Sequence, residues 1–314
     1  MRLLKKERNS QRRDYFMFDN AKITRRNLLK CAAIGAAGVT SASFLATQNP
    51  ASKAYADQLT EVDSENQTNY QDNVTEVMDA DIVVVGSGSS GVSAAVEALE
   101  HSANVVLIES QGQPGGSGAL THCILGINTP DQIANNITDE HPSSWDAEVL
   151  SPLRPANTDV TVAEIAQHEL KSFNGITDGA RWITLLENSA DNIQWLLDQG
   201  VQFLDGVDNY QGEGLYNVSH WWKDKGYAGF ITPMLNKFNE LGGTILLNTT
   251  GKELITDDSG AVVGIYAETE NGVLQINAKA VIIATGGYND NADIMKQRGF
   301  NPEEVLIKAA PGHN

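Results

Sequence analysis

The sequence predicts an α/β fold in which a doubly wound parallel sheet is combined with an antiparallel β-meander and a helical insertion. Three observations lead to this prediction. A short β-branched run, Asp81–Val85, passes through a glycine-rich loop, Gly86–Gly91, directly into a helix-prone segment. A second short strand, Asn104–Ile108, follows that segment. Further on, apolar residues at helical spacing are followed by several strand patterns separated by turn signals.

Composition and charge exclude several classes of function. The 314 residues include 22 Lys and Arg against 40 Asp and Glu, and 41% are hydrophobic, which is enough for a sizeable core. Residues 1–56 carry 11 Lys and Arg and three Asp and Glu, a net charge of +8, which leaves −26 for residues 57–314. So acidic a body is repelled by a phosphate backbone, and we expect no binding to nucleic acid. With two cysteines, Cys31 and Cys123, we also expect no metal site and an organic cofactor for any redox chemistry.

The basic leader has the three parts of an export signal. A charged segment contains Arg25-Arg26, a 16-residue run of small and apolar residues follows from Cys31 to Ala46, and Ala54-Tyr55-Ala56 resembles a cleavage site. The segment around the two arginines resembles the twin-arginine export signal. We therefore predict a twin-arginine signal peptide over residues 1–56, a polar linker over 57–78 and a folded domain over 79–314. The mature protein is then expected outside the cytoplasm, in the periplasm or on the outer face of the cell membrane.

The glycine loop has the residues that dinucleotide binding requires. Their arrangement is the Rossmann-like pattern. Gly86 permits a tight turn, Gly88 lets the backbone approach a pyrophosphate, and Gly91 allows the helix to pack closely on the strand. The second strand ends in Glu109, 18 residues after Gly91, where a carboxylate can accept hydrogen bonds from a ribose. Strand, loop, helix and acid in register predict a dinucleotide site, but this pattern alone leaves a nicotinamide and a flavin cofactor both possible.

Two further segments have side chains small enough for their backbone to contact a ligand, namely Gly115-Gly116-Ser117 and Ala284-Thr285-Gly286-Gly287. Together with the loop and Glu109, they resemble the fumarate reductase and succinate dehydrogenase flavoprotein family, particularly its secreted, flavocytochrome-type members. The resemblance implies FAD as the cofactor and places both segments along the flavin. It also places the histidine that binds flavin covalently in membrane-bound relatives near Gly118, so we expect noncovalent FAD. Gly251 falls on the adenine-contacting strand, where a side chain is usual and this chain offers only backbone.

The resemblance also implies a reaction and partners. We expect hydride transfer from reduced flavin to the activated C=C bond of a small enoate-type substrate, with electrons from an external cytochrome or membrane quinol dehydrogenase. No catalytic residue is assigned. The cofactor-binding residues that we predict are Gly86, Ser87, Gly88, Ser89, Gly91, Glu109, Ser110, Gly115, Gly116, Ser117, Gly251, Ala284, Thr285 and Gly286.

The middle of the chain carries helical spacing over residues 160–170, 180–187 and 188–198, and an aromatic cluster around His220. We expect His220 to be a hydrogen-bonded structural residue. His122 and Cys123 fall where the family has small residues beside the flavin, so they could reshape that pocket.

By the resemblance, residues 79–314 correspond to the first half of a mature enzyme, without its capping domain. We therefore expect residues 57–314 alone not to reduce fumarate, urocanate or acrylate. Two alternatives remain open: a truncated, non-catalytic FAD-binding fragment, and an NAD-dependent dehydrogenase, which a yellow protein would exclude.

Overall fold

A computed structural model describes residues 69–134, 136, 160–172, 174, 175, 177–209, 217–224, 226–289 and 291–304. The predicted signal peptide and most of the predicted linker lie outside these residues. The chain divides into two compact units. One comprises residues 69–255 and 263–314 and holds nearly everything described below, whereas residues 256–262, a hairpin turn, are grouped with residues 1–68.

The described part of the chain contains the predicted succession of strand, helix, second strand, middle helices and later strands, together with short elements that the sequence did not indicate. The strands are β1 (Val74–Val85), β2 (Val105–Ile108), β3 (Cys123–Leu125), β4 (Asp208–Asn209), β5 (Asn217–Trp221), β6 (Thr244–Leu246), β7 (Thr250–Thr256), β8 (Val262–Thr269) and β9 (Gly272–Ile283). The helices are α1 (Ser89–Glu100), α2 (Pro130–Ala134), α3 (Val162–Ser172), α4 (Gly179–Glu187), α5 (Ser189–Asp198), α6 (Thr232–Glu240) and α7 (Ala292–Gln297).

The central sheet has six strands in the order β6-β2-β1-β9-β8-β7. Strands β6, β2, β1 and β9 are parallel to one another, and β8 is antiparallel to β9. This mostly parallel α/β sheet with an antiparallel extension is the predicted fold class. Strands β3, β5 and β4 form a separate small antiparallel sheet.

Two strands are longer than their apolar sequence patterns predict. The patterns over residues 273–276 and 280–284 predict two separate strands, whereas the structure has one continuous strand, β9, which pairs with β1 along most of its length. The polar residues that looked like an interruption are bonded to the neighbouring strand: Asn277 donates to Asp79 at 2.9 Å, and Lys279 lies 2.6 Å from the Asp81 carboxylate. For the same reason β1 begins at Val74, inside the segment predicted as linker.

The two faces of the parallel strands are covered differently. On one face, a buried cluster joins Val84 and Leu107 to α1, α6, Leu196 and Trp222. On the other, Val83 and Ile108 pack against residues of β8 and β9. A doubly wound sheet has helices on both faces, but among the described residues the second buried cluster consists of strand residues only. The meander takes the place of a helical layer, because every second residue of β8 and β9 in this region belongs to the cluster: Ile265 and Ala267, and Leu274, Ile276 and Ala278.

Helices α3, α4 and α5 confirm the helical spacing of the middle segment, with shifts of one or two residues at their ends. Gly200 follows α5 with a φ of +93°, the left-handed conformation that ends many helices. In the part of the chain that is described, no helix is both long and apolar enough to cross a membrane.

Candidate functional site

A cleft of about 420 Å³ lies where β1, β2 and β9 end and β7 begins. This is the edge at which open parallel sheets bind ligands, because the loops after the carboxyl ends of the strands diverge there. The cleft is lined by Val85, Gly86, Ser87, Gly88, Ser89, Ser90, Ile108, Glu109, Ser110, Gly116, Ser117, Gly118, Thr121, Thr249, Thr250, Gly251, Ala284, Thr285 and Gly286. All the predicted residues except Gly91 and Gly115 are in this set.

The three loop glycines have three different reasons to be glycine. Gly86 has a φ of +97°, and a Cβ there would lie 2.6 Å from the Ala284 carbonyl oxygen. Gly91 is helical, but its Cβ would lie 1.8 Å from the Gly86 carbonyl oxygen. At Gly88 the backbone is extended and a Cβ would meet only the Gly115 carbonyl, at 3.9 Å. Gly86 and Gly91 are therefore fixed by the protein's own packing, whereas Gly88 borders open space in the cleft.

Helix α1 begins at this open space without a side-chain cap on its N-cap residue, Gly88. The first N–H groups of a helix have no partner within the helix, and the aligned peptide dipoles make that end positive. An uncapped N-terminus in a cleft is suited to an anion such as a pyrophosphate. The cradle at Gly88 and the free end of α1 thus fit the diphosphate of a dinucleotide.

Glu109 is buried at the end of β2 and is held by both carboxylate oxygens. Its Oε2 accepts from the Ser87 N–H at 2.9 Å and the Ser87 hydroxyl at 2.5 Å. Its Oε1 accepts from the Gln111 N–H at 2.9 Å and the Ser110 hydroxyl at 3.3 Å. The carboxylate therefore has a fixed orientation on the cleft wall. Its bond to a ribose stays a prediction.

The second loop, residues 115–118, has backbone conformations and close contacts that require glycine. Gly115 and Gly116 have φ values of +120° and +47°. A Cβ on Gly115 would lie 3.1 Å from the ring of Tyr227, the first residue of a π-helical turn, Tyr227–Ile231. A Cβ on Gly118 would lie 2.3 Å from the Ser89 hydroxyl. Glycine is required at both positions because the loop is packed between the first loop and the π-helical turn.

Gly251, the position that departs from the family pattern, also has a packing reason. A Cβ there would lie 2.9 Å from Val85 and 3.0 Å from Ile265, so β7 can approach the parallel strands only with glycine at this place. The neighbouring residues Thr249 and Thr250 line the cleft and were missed from the sequence. Their position beside Gly251 was the only available signal.

The other lining residues that sequence reasoning missed are Val85, Ser90, Ile108, Gly118 and Thr121. Four of them adjoin or lie within a predicted motif. Thr121 enters the cleft through the short 3-10 turn Gly116–Leu120, which the glycine-rich sequence did not indicate.

His122 and Cys123, expected beside the cofactor, are not among the cleft-lining residues. His122 stacks on Trp221, with ring centroids 6.3 Å apart, and Cys123 pairs with the same tryptophan across the small sheet. His220 is buried there too; its Nε2 lies 2.8 Å from the Thr129 hydroxyl, and its Nδ1 lies 3.2 Å from the Val218 carbonyl oxygen. Burial lowers the pKa of His220. These contacts agree with the predicted structural role.

We expect the Cys123 thiol to react slowly. Burial raises its pKa to about 11, Asp208 adds to the rise, and a hydrogen bond with Ser219 acts against it. At pH 8 its thiolate population should be about 100-fold below that of an exposed cysteine. Alkylation by iodoacetamide, followed by mass spectrometry in a Cys31→Ser variant, measures this. Protein unfolded in guanidinium is the control and should react at the ordinary rate; an equally fast native reaction would contradict the prediction.

The chemistry of the cleft is that of a binding site. Glu109 is the only ionisable residue among the described residues that line it. The described part of the chain contains no cluster of side chains able to hold a metal ion. These residues can therefore hold a nucleotide cofactor, but they present no cation for a substrate carboxylate.

Comparisons with known proteins agree with this geometry. Residues 81–312 match the model of a family described as an FAD binding domain. The chain is 31% identical to the vinyl phenol reductase of Lactiplantibacillus plantarum over 235 residues, 74% of this chain and 43% of that protein. It is 29% identical to the fumarate reductase (cytochrome) of Shewanella frigidimarina over 219 residues, 67% of this chain and 34% of that protein. The chain thus spans less than half the length of these relatives.

Among solved structures, the open conformation of a flavocytochrome c3 fumarate reductase matches with a TM-score of 0.58 at 23% identity. The match covers 74% of this chain and 40% of that one. This likeness supports the fold.

Proposed function

Because this chain belongs to the FAD binding domain family, we propose that its protein is a fumarate reductase-like flavoprotein that reduces an activated C=C bond. The observation that carries the proposal is the cleft, in which an open glycine cradle, an uncapped helix N-terminus and a buried carboxylate meet. The curated relatives are named as reductases of vinyl phenol and fumarate, compounds with such a bond. The FAD is proposed to be noncovalent.

The described residues have distinct roles in this proposal. Gly88 and the first turn of α1 would hold the diphosphate, Glu109 the adenosine ribose, and residues 115–118 and 284–286 the flavin half. When bound, reduced FAD supplies the hydride. The chain's own residues orient the cofactor and fix the wall against which it lies.

Reduction of a C=C bond also needs a group that delivers a proton and cations that hold the substrate. None of the described lining residues can do this, since Glu109 is the only one that ionises and its carboxylate already accepts four hydrogen bonds. That observation keeps a second candidate, a non-catalytic FAD-binding protein, worth testing.

One experiment distinguishes the two candidates. The protein carrying this sequence is purified from the cells that make it and assayed with reduced methyl viologen and fumarate, urocanate, acrylate or 4-vinylphenol. Dye oxidation well above that of free FAD is expected with at least one acceptor. Bound flavin without turnover on any of them would favour the non-catalytic protein, and a colourless protein that takes up no FAD would contradict both proposals.

Export is part of the proposal and is tested separately. We expect the double variant Arg25→Lys, Arg26→Lys to remain unprocessed in the cytoplasm, because lysine keeps the charge but not the planar guanidinium groups. Immunoblotting of cell fractions gives the location and the size change on cleavage after Ala56. The variant Lys22→Arg is the matched control and should be exported; normal processing of the double variant would contradict the assignment.

In the exported protein, electrons would come from an external cytochrome or membrane quinol dehydrogenase.

A further inference from the structure

Ser87 connects three of the four segments that the proposed function assigns to FAD, namely the first glycine loop, Glu109 and the second loop. It is completely buried, with 0% of its surface exposed, in the middle of the first glycine loop. Its hydroxyl donates to Glu109 Oε2 at 2.5 Å and accepts from the Gly115 N–H at 3.2 Å. Its own N–H also donates to Glu109, and its carbonyl oxygen accepts from the same Gly115 N–H at 3.1 Å.

The direction of these hydrogen bonds is fixed by chemistry. An ionised carboxylate only accepts, and a backbone N–H only donates. The Ser87 hydroxyl hydrogen must therefore point to Glu109, which leaves an oxygen lone pair for Gly115. Alanine or glycine could keep the backbone contacts but could not bridge these two partners.

The bridge contributes to the position of both partners, beside the other three hydrogen bonds of Glu109 and the bond from the Gly115 N–H to the Ser87 carbonyl oxygen. The Glu109 carboxylate has a charge-assisted bond to the Ser87 hydroxyl, and such bonds are stronger than those between neutral groups. Gly115 has a left-handed φ of +120°. Its N–H is held by Ser87 at the start of the second loop, where that loop contacts the first.

We propose that Ser87 is a positioning residue that couples the ribose carboxylate, Glu109, to the flavin-side loop, residues 115–118. The proposal rests on the proposed function, because both partners matter through FAD. Loss of the hydroxyl should weaken the hold on Glu109 and on Gly115 together, because each loses one of its hydrogen bonds. Binding of the whole cofactor should then suffer more than binding of its adenosine diphosphate half, which does not need the second loop.

The test compares FAD and ADP binding to the cofactor-free 314-residue chain and to its Ser87→Ala variant, by calorimetry. We expect the affinity for FAD to fall by a factor of about ten or more. We expect this factor to be at least about three times the factor by which the affinity for ADP falls. Ser93→Ala, in the helix that follows the loop but away from the cleft, is the control and should leave both affinities unchanged. The ratio of the two losses does not depend on the folded fraction, so a destabilised variant still gives an answer.

Two results would overturn the inference. One is a smaller loss of FAD affinity than stated, and the other is the same loss for FAD and ADP, which would mean that Ser87 does not act through the second loop. Failure of the proposed function is a different result, since the unaltered chain would then not bind FAD at all.

Discussion

The Gly88→Val variant should lose FAD binding while keeping its fold. Gly88 has an ordinary extended backbone, with φ −66° and ψ −174°, and the space beside it is open, so valine strains nothing in the cofactor-free protein. Its side chain would occupy the place where a diphosphate approaches the N-terminus of α1. Losing two or more charge-assisted hydrogen bonds corresponds to a fall in affinity of about 100-fold or more.

Flavin fluorescence titration measures the affinity, and thermal unfolding without cofactor measures the fold. Gly88→Ala should give an intermediate loss, because a methyl group fills less of the cradle. Gly112→Val is the matched control: Gly112 is exposed, lies outside the cleft, and a Cβ there meets only the flexible Asn248 side chain. Unchanged FAD affinity in Gly88→Val would show that the diphosphate does not lie on this loop.

Local signals in the sequence were sufficient to predict the strand, glycine loop and helix that form one wall of the cleft. Strand, loop and helix follow one another without interruption from Asp81 to Leu99, so their geometry depends on neighbours in the chain. The different requirements at Gly86, Gly88 and Gly91 were also predicted, and the structure supplies the distances for each.

Long-range pairing explains what the sequence did not predict. Polar residues in β1 and β9 resemble loop residues when each strand is considered alone, yet Asp79 and Asp81 of β1 bond to Asn277 and Lys279 of β9. The same is true of the second sheet face, where Ile265 of the meander covers Ile108 of a strand far earlier in the chain. No periodicity within one segment contains that information.

The candidate site shows the same division. Its glycines and Glu109 belong to recognisable patterns, whereas the contact between Ser87 and Gly115 joins residues 28 positions apart. Both residues were predicted to bind the cofactor, but the sequence did not indicate that one hydroxyl connects them. The reason for glycine at position 251 likewise lies in its contacts with Val85 and Ile265, which belong to other strands.

Gly91→Ala should destabilise the protein strongly, and the sign of its effect separates two physical explanations. Gly91 lies in the first turn of α1, where helix propensity alone predicts that alanine stabilises by about 1 kcal/mol. Packing predicts the opposite, because the new Cβ would lie 1.8 Å from the Gly86 carbonyl oxygen, and Gly86 is itself held against Ala284. Relief requires α1 to move away from β1, so we expect a loss of about 3 kcal/mol, the upper end of usual overpacking costs.

Urea unfolding of the cofactor-free chain, followed by circular dichroism, gives the free energy of unfolding for comparison with Ser93→Ala. Ser93 lies two residues further along the same helix, so its replacement changes helix propensity without the collision and should be neutral or slightly stabilising. A stabilised Gly91→Ala protein would mean that α1 and the Gly86 turn are less closely packed than described. A destabilised one would show that glycine here serves the contact between helix and strand.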